Sequence, residues 1–528
     1  MKDICKQQKA YIVGGGISSL AAAVYLIDDA GFAAENITIY EAKKTVGGSL
    51  DARRKHSSGA YIMTGHRILA KNAFECTYDL LSRVPSIRDK RMTAKDEIDE
   101  YNKRVRTYAK ARLVEKGKVV DSHTLGLSWG HRKDLVKVFI TKESSLDGLR
   151  INDFFAKDFF DTNFWLEFST VFAFQPWSSL AEFRRYIYRS FHALPFYDTM
   201  ECIQETPYNQ HDSMVLPIYD WLEAKGVNFS IETTVMDIDI ATRDQKRIEA
   251  IRLAKDGSEE TVAVGVDDLV FVTLGSMTTN SCFGSMDSAA QVLEKRESPA
   301  WNLWEKAASK DACFGRPKVF DDHAKETKWS SFTITFKDRI FFDMMEALTG
   351  NAEGTGGGTS FRKSNWLLSL TLPHQPHFLD QPDNLTVCWG YGLRPDNKGN
   401  FVDKKMSECS GEEILMELIN HLGFGQKTAE ILESAICIPC LMPYITSQFS
   451  PRVKGDRPQV LPAGAGNFAL LGQYCEIPND IVFTVEYSIR SAQMAVYSLL
   501  GLNKKVEPIY KGHYNPVNIY RAIKTLLR

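Results

Sequence analysis

"YIVGGGISSLAAAVYL", residues Tyr11 to Leu26, decides the fold. Apolar residues lead into a glycine cluster and then into an alanine-rich helical pattern. Gly14, Gly16 and Ser19 hold the three small-residue positions of G-x-G-x-x-G: the first permits a tight turn, the second admits a pyrophosphate, and the third lets helix pack on strand. "SLAAAVYLIDDAG" reads as a helix ended by Gly31, and "NITIYEA" as a second strand ending at Glu41, where a carboxylate reaches ribose hydroxyls. The expected fold class is therefore α/β, with a Rossmann-like dinucleotide-binding domain. The next turn, "KKTVGGSLDA", adds Gly47, Gly48 and Ser49 just after the acidic residue, a second glycine pair that favours FAD over NAD.

Such folds complete the dinucleotide site late in the chain. "GNFALLGQYCEIPNDIVFTVEYSIRSAQMAVYSLLG" supplies an apolar strand from Phe468 to Leu471, Gly472 at its end, and a long helix to Leu500. Thr484 and Ser488 then fall near the helix N-terminus, where free backbone N–H groups favour an anion or a flavin carbonyl.

The 528 residues are 44% hydrophobic and 25% charged, with a formal net charge of -2. That balance excludes a global basic field, so nucleic acid is not expected as a partner. The start of the chain carries no secretory apolar run and no segment offers the roughly 18 apolar residues of a spanning helix, so a cytoplasmic protein is expected. Ten cysteines are scattered, and Cys437 and Cys440 in "CIPC" read as ordinary semi-buried thiols. His374 and His377 flank a proline with no third ligand, so no metal is expected.

The chain resembles the flavin-dependent fatty acid hydratases, the family once called myosin-cross-reactive antigens, of which oleate hydratase is the type. The resemblance is carried over nearly the whole chain by "GGSLDA", "NFWLEFSTVFAFQPWSS", "FRRYIYRSFHALP", "DDLVFVTLGSMT", "FGRPKVF", "QPHF", "MPYITSQF", "PRVKGDRP" and "FTVEYSIRSA". It implies a multi-domain FAD fold, an apolar tunnel for an unsaturated free fatty acid, and a hydro-lyase adding water across a cis double bond; homodimers are frequent in the family. The flavin is then mainly architectural, because hydration moves no net electrons.

The family's acid-base pair is a tyrosine in a segment like "EMRRY" and a glutamate in a loop like "GGREM". The tyrosine is Tyr186 in "EFRRY", a phenol suited to proton donation in an apolar tunnel. The loop here reads "TGHRIL", which puts Ile68, or Leu69, where the carboxylate belongs; on a helix Glu75 would lie about two turns, ~10 Å, beyond Ile68. His66 is either a replacement base or a polar loop residue. "TLPHQPHF" keeps Thr371 and His377 as implied substrate contacts, with Pro373 in place of an asparagine, and Gln210 in "YNQ" matches another. Two other outcomes stay open at this point: a flavin-dependent fatty acid isomerase or oxidoreductase, and a fatty acid-binding protein that has lost hydratase activity.

The organisation expected is a first FAD-binding βαβ part over 1–85, a charged excursion and aromatic helical substrate region over 86–210, a return to the FAD domain over 211–290, a substrate domain of mixed sheet and helices over 291–450, a closing FAD-binding unit over 451–502, and a C-terminal helical extension over 503–528. Within it, Arg88 to Lys118 reads as a solvated surface of mixed charge. Phe154, Phe155, Phe159, Phe160, Phe164, Trp165, Phe172, Phe174 and Trp177 form the dense aromatic wall of the tunnel. Arg247 to Thr273 reads as a hairpin turning at Asp256-Gly257 and a following strand. "EGTGGGTS" at Glu353 to Ser360 reads as a flexible loop. The final amphipathic segment, with Arg521, Lys524 and Arg528 beside Ile519, Ile523 and Leu527, suits either peripheral contact with a membrane or docking of a partner subunit.

Overall fold

A computed structural model describes residues 7–52, 58–291 and 298–527. Arg528 lies outside the described residues. The glycine-rich opening folds as its pattern requires. Ala10–Val13 is a fully buried strand, Gly14 turns the chain at φ +90°, and Ile17–Asp28 is a helix whose first ten residues are buried. Ile37–Glu41 returns parallel to the first strand, Ala10 opposite Ile37. Three more strands, Asn228–Ile231, Leu269–Thr273 and Phe468–Leu471, complete a five-stranded sheet. Its order runs 468–471, 269–273, 10–13, 37–41, 228–231, and every pair is parallel. Parallel strands need both faces covered, which explains the apolar, buried character of the three inner strands' cores, whereas the edge strand Asn228–Ile231 is only partly buried. The helix Val485–Leu499 packs beside Ile17–Asp28 and buries most of its length in doing so.

The hairpin lies where it was read: Lys246–Lys255 and Ser258–Ala263 pair about Asp256-Gly257, and with Thr233–Thr242 they make a three-stranded antiparallel sheet.

A second, eight-stranded sheet forms the other large layer. Its central strand, Trp329–Phe336, is buried at all eight positions because it is covered on both faces. Side chains alternate across a strand. Phe332, Ile334 and Phe336 join a core with Phe341, Phe342 and the helix Gly411–Leu422. Thr333 and Thr335, on the opposite face, accept hydrogen bonds from the backbone N–H groups of Met63 (2.9 Å) and Tyr61 (3.0 Å). Those threonines therefore fix the segment that leads into "TGHRIL".

Two sequence expectations are corrected here. The excursion from Arg88 to Lys118 is only partly surface. The helix Ala94–Arg104 exposes its charges behind a Thr93/Asp96 capping box, but Leu113–Glu115 and Lys118–Val120 are the last two strands of the eight-stranded sheet, Lys118–Val120 at its edge, with Leu113 and Val114 buried. A two-residue apolar core among lysines and glutamates is too short to register as periodicity. Likewise "EGTGGGTS" is not all loop: Gly358–Phe361 is a strand, paired with Leu368–Thr371 on one side and with Leu113–Glu115 in parallel on the other. Cys437 and Cys440 lie on the buried strand Ala435–Met442, where an odd separation points them to opposite faces, so they do not form a dithiol.

Candidate active site and cofactor cradle

At the C-terminal edge of the parallel sheet, two glycine pairs stand back to back. The Gly47 N–H donates to the Gly15 carbonyl at 2.8 Å. A Cβ added at Gly48 would lie 3.1 Å from the Gly16 Cα, whereas one at Gly16 would meet nothing within 4 Å. Gly16 thus faces open space at the start of the Ile17–Asp28 helix, whose first turn has no side-chain cap. An uncapped helix N-terminus beside a side-chain-free surface is where a pyrophosphate fits.

Thr273, at the end of its strand, is the hub of this corner. Its Oγ1 is 3.0 Å from the Ser19 hydroxyl, and its side chain sits 3.3–3.4 Å from where Cβ atoms on Gly14 and Gly472 would be. Ser19 is fully buried, so it packs helix against strand. Gly472 takes φ +95° and its N–H donates to Ser491 Oγ at 2.9 Å. Thr484 caps the Val485–Leu499 helix by accepting from the Tyr487 N–H, and Ser488 accepts from Gln473 Nε2 at 2.8 Å. The Ser49 carbonyl accepts from the Thr64 hydroxyl. Glu41 ends its strand as expected, yet its carboxylate accepts from the N–H groups of Gly15 (2.6 Å) and Lys43 (2.8 Å). Burial holds that carboxyl above its ordinary range despite both bonds.

A cavity of about 490 Å³ runs from this corner toward the last helix. Phe164, Phe168 and Phe172 line it because they are four residues apart on the helix Asn163–Phe172 and so share one face. The other aromatics expected in the wall lie outside the lining. Phe155 and Phe159 stack at 4.1 Å, and Trp165 packs on Phe159 and Phe183, forming a core behind it. Phe483 and Thr484 close the cofactor end, while Ile519, Ile523 and Leu526 of the helix Pro516–Leu526 close the other.

Tyr186 lines this cavity from the helix Leu180–Arg189. Its ring meets Phe172 and Phe174 edge-on at 4.9 Å, and its hydroxyl donates to the Val482 carbonyl at 2.5 Å. Burial raises the phenol well above its ordinary value of 10, so it stays protonated. The neighbouring arginines hold helix and acceptor in register. Arg189 and Arg490 both engage Asp480, at 3.1 and 2.7 Å, two residues before Val482.

His66, Arg67 and Ile68 all line the cavity. Leu69 does not: it is fully buried in the two-residue strand Leu69–Ala70, so Ile68 is the residue facing the tunnel. Residues 69–70 being strand, the helical distance from Ile68 to Glu75 does not apply. Glu75 is outside the lining and is engaged by Arg189 (2.8 Å), Arg490 (2.9 Å) and the Tyr510 N–H (2.7 Å).

Of the three expected substrate contacts, only Thr371 reaches the cavity surface. Gln210 is buried behind it because its amide donates to the Arg67 carbonyl, which ties it to the loop backbone. His377 is also behind the wall, its ring 5.9 Å from that of His66 and its Nε2 without a hydrogen-bond partner; burial drives it well below its ordinary 6.5, so it is neutral. Pattern reading missed ionisable side chains that line the cavity, among them Arg67, Glu205 and the paired Arg112 and Glu167. Burial alone brings the Arg67 guanidinium down to about 10, and it has no ion-pair partner among the described residues.

The sequence pattern of the MCRA family matches residues 7–497. An oleate hydratase from Streptococcus pyogenes serotype M49 (strain NZ131) is 39% identical over 531 residues, covering 98% of this chain and 89% of that protein. A linoleate hydratase from Lactiplantibacillus plantarum is 32% identical over 536 residues, covering 94% of each. Among solved structures, wild-type putrescine oxidase bound to putrescine superposes with a TM-score of 0.52 at 12% identity, covering 94% of this chain and 99% of that one, a likeness of fold.

Proposed function

The chain belongs to the MCRA family, and from that membership together with the Tyr186 cavity we propose that it is a fatty acid hydratase, adding water to a cis double bond of an unsaturated free fatty acid such as oleate. The observation that carries this reading is a neutral phenol, held protonated by burial, on the wall of an apolar cavity that abuts a dinucleotide cradle. The fatty acid chain lies along Phe164, Phe168 and Phe172, with its carboxylate toward the polar groups of Thr371 and Arg67. Tyr186 turns its O–H from Val482 to the alkene and protonates one carbon, while water attacks the other and gives up its proton to His66. The proton then passes back from the imidazolium to the phenolate through cavity water, so the enzyme ends as it began.

FAD fits the cradle: Gly16, open where a Cβ would stand, would face the pyrophosphate, with Gly14, Gly47, Gly48 and Ser49 shaping the turns around it; Glu41 would serve the ribose, and Gly472, Thr484 and Ser488 would hold the flavin end. When bound it would supply polar groups that help to order the reacting water. We assign the segments 1–85, 211–290 and 451–502 to that domain.

The helix Pro516–Leu526 turns Ile519, Ala522 and Leu526 to the cavity, yet leaves Val517, Tyr520 and Leu527 exposed. An apolar outer face beside Arg521 and Lys524 supports peripheral contact with a membrane, the source of the substrate. No helix of the described residues is long and apolar enough to cross one.

The test is protein loaded with FAD, reduced anaerobically, and incubated with oleic acid in heavy-oxygen water. A hydroxy acid carrying one heavy oxygen supports hydration; a shifted double bond without oxygen uptake, or bound but unchanged oleate, refutes it.

A further inference from the structure

Hydration needs a proton acceptor for the attacking water, and Ile68 offers none. Among the described residues two carboxylates line the cavity, Glu167 and Glu205. Glu167 faces Arg112 at 3.7 Å. Glu205 faces His66, with Oε1 3.3 Å from Nε2, and both side chains are at least nine-tenths buried. The pair is brought together by a short antiparallel ladder in which Leu69 lies opposite Gln204 and Ala70 opposite Ile203. Extending that register by one step would set Ile68 across from Glu205, and both residues line the cavity. Directly opposed residues on an antiparallel pair have Cβ atoms about 5 Å apart, so a carboxylate there serves nearly the same space as one at position 68.

The carboxylate is well anchored. Asn102 clamps the Glu205 backbone, accepting from its N–H at 3.1 Å and donating to its carbonyl at 2.8 Å. Behind His66 stands neutral His377, so among the described residues Glu205 is the carboxylate at ion-pair distance from the imidazole. The Nε2 to Oε1 contact lies outside hydrogen-bond geometry as it stands, which is common before substrate tightens a site.

We infer that Glu205 is the positioning residue for His66: it holds the imidazole proton on Nε2, leaving the Nδ1 lone pair to take the proton of the attacking water. This rests on the hydratase reading above. It follows the general logic of a base oriented by a third group, which a carboxylate fulfils without itself taking the proton. In the step, the water O–H bond breaks toward Nδ1, the C–O bond forms, and the Tyr186 O–H bond breaks toward the other alkene carbon; no electrons leave or enter.

The experiment measures heavy-oxygen incorporation into oleic acid by the FAD-loaded wild type, Glu205→Gln, Glu205→Asp, His66→Ala and the double variant His66→Ala/Glu205→Gln. Flavin absorbance and oleate affinity confirm that each variant is folded. The expected result is a kcat about tenfold or more lower in Glu205→Gln with KM little changed, partial recovery in Glu205→Asp, and a double variant no slower than His66→Ala. Wild-type kcat in Glu205→Gln overturns the inference, as does a raised KM at unchanged kcat, which would make Glu205 a substrate contact. A further loss on adding Glu205→Gln to His66→Ala overturns it too, since Glu205 would then act on its own. In all three cases the hydratase reading stands; it falls, and the inference with it, only if the wild type incorporates no oxygen.

Discussion

Glu167→Gln tests whether the cavity keeps its second carboxyl neutral. Glu167 is 1% exposed, and both its oxygens lack a hydrogen-bond partner among the described residues. Arg112 at 3.7 Å attracts the charged form, but burial outweighs it and raises the carboxyl from 4.5 to about 7. The folded protein therefore holds this proton more tightly than the unfolded chain does. A raised acid contributes fully below the unfolded value near 4.5, and its contribution is lost as pH climbs through about 7. At 1.36 kcal/mol per pH unit, the loss between those limits is roughly 3 kcal/mol. Glutamine cannot ionise, so the variant escapes it. Urea unfolding of both proteins with saturating FAD at pH 5 and pH 8 reads the difference: Glu167→Gln should gain on the wild type as pH rises, by up to about 3 kcal/mol. An equal difference at the two pH values, or a variant that loses ground at pH 8, would show that Arg112 keeps Glu167 ionised and would refute the reasoning.

Tyr186→Phe removes the proton donor while keeping the ring in its aromatic packing. Hydration should fall by roughly 10²–10⁴-fold, measured as hydroxy acid by mass spectrometry, while stability drops only about 1 kcal/mol for the lost bond to Val482. Gly16→Ala introduces a methyl that meets no atom of the protein within 4 Å at an ordinary φ of −75°. Its melting temperature without cofactor should match the wild type, while flavin titration should show weakened binding, because the methyl intrudes only on the pyrophosphate.

The dinucleotide half of the molecule was legible because its signals are local. The turn at Gly14, the strand Ile37–Glu41 and the late strand Phe468–Leu471 with Gly472 are each written in a few adjacent residues. Tyr186 was legible through motif and His66 as a departure from the expected loop, and the structure sets both on the cavity wall. Glu205 was not: it lies over a hundred residues from His66, and only a two-residue ladder, too brief for any periodicity, brings them together. That Gln210 and His377 lie behind the cavity lining was not legible either, since motif identity says nothing about whether a side chain faces the cavity or the loop behind it. The aromatic run divided by helical phase, with Phe164 and Phe172 on the cavity face and Trp165 on the other.

The meeting of Gly14, Ser19 and Gly472 on Thr273 has a consequence for biosynthesis. At about 5–20 residues per second, on the order of 20–90 s separate translation of the strand Ile37–Glu41 from that of Phe468–Leu471. From the synthesis of Leu269–Thr273 until that of Phe468–Leu471 the sheet stays incomplete, with one edge of Leu269–Thr273 lacking its partner strand. Any group that needs the finished corner around Thr273 is therefore captured late, on nearly finished chains that are exposed to chaperones and proteases at their greatest length.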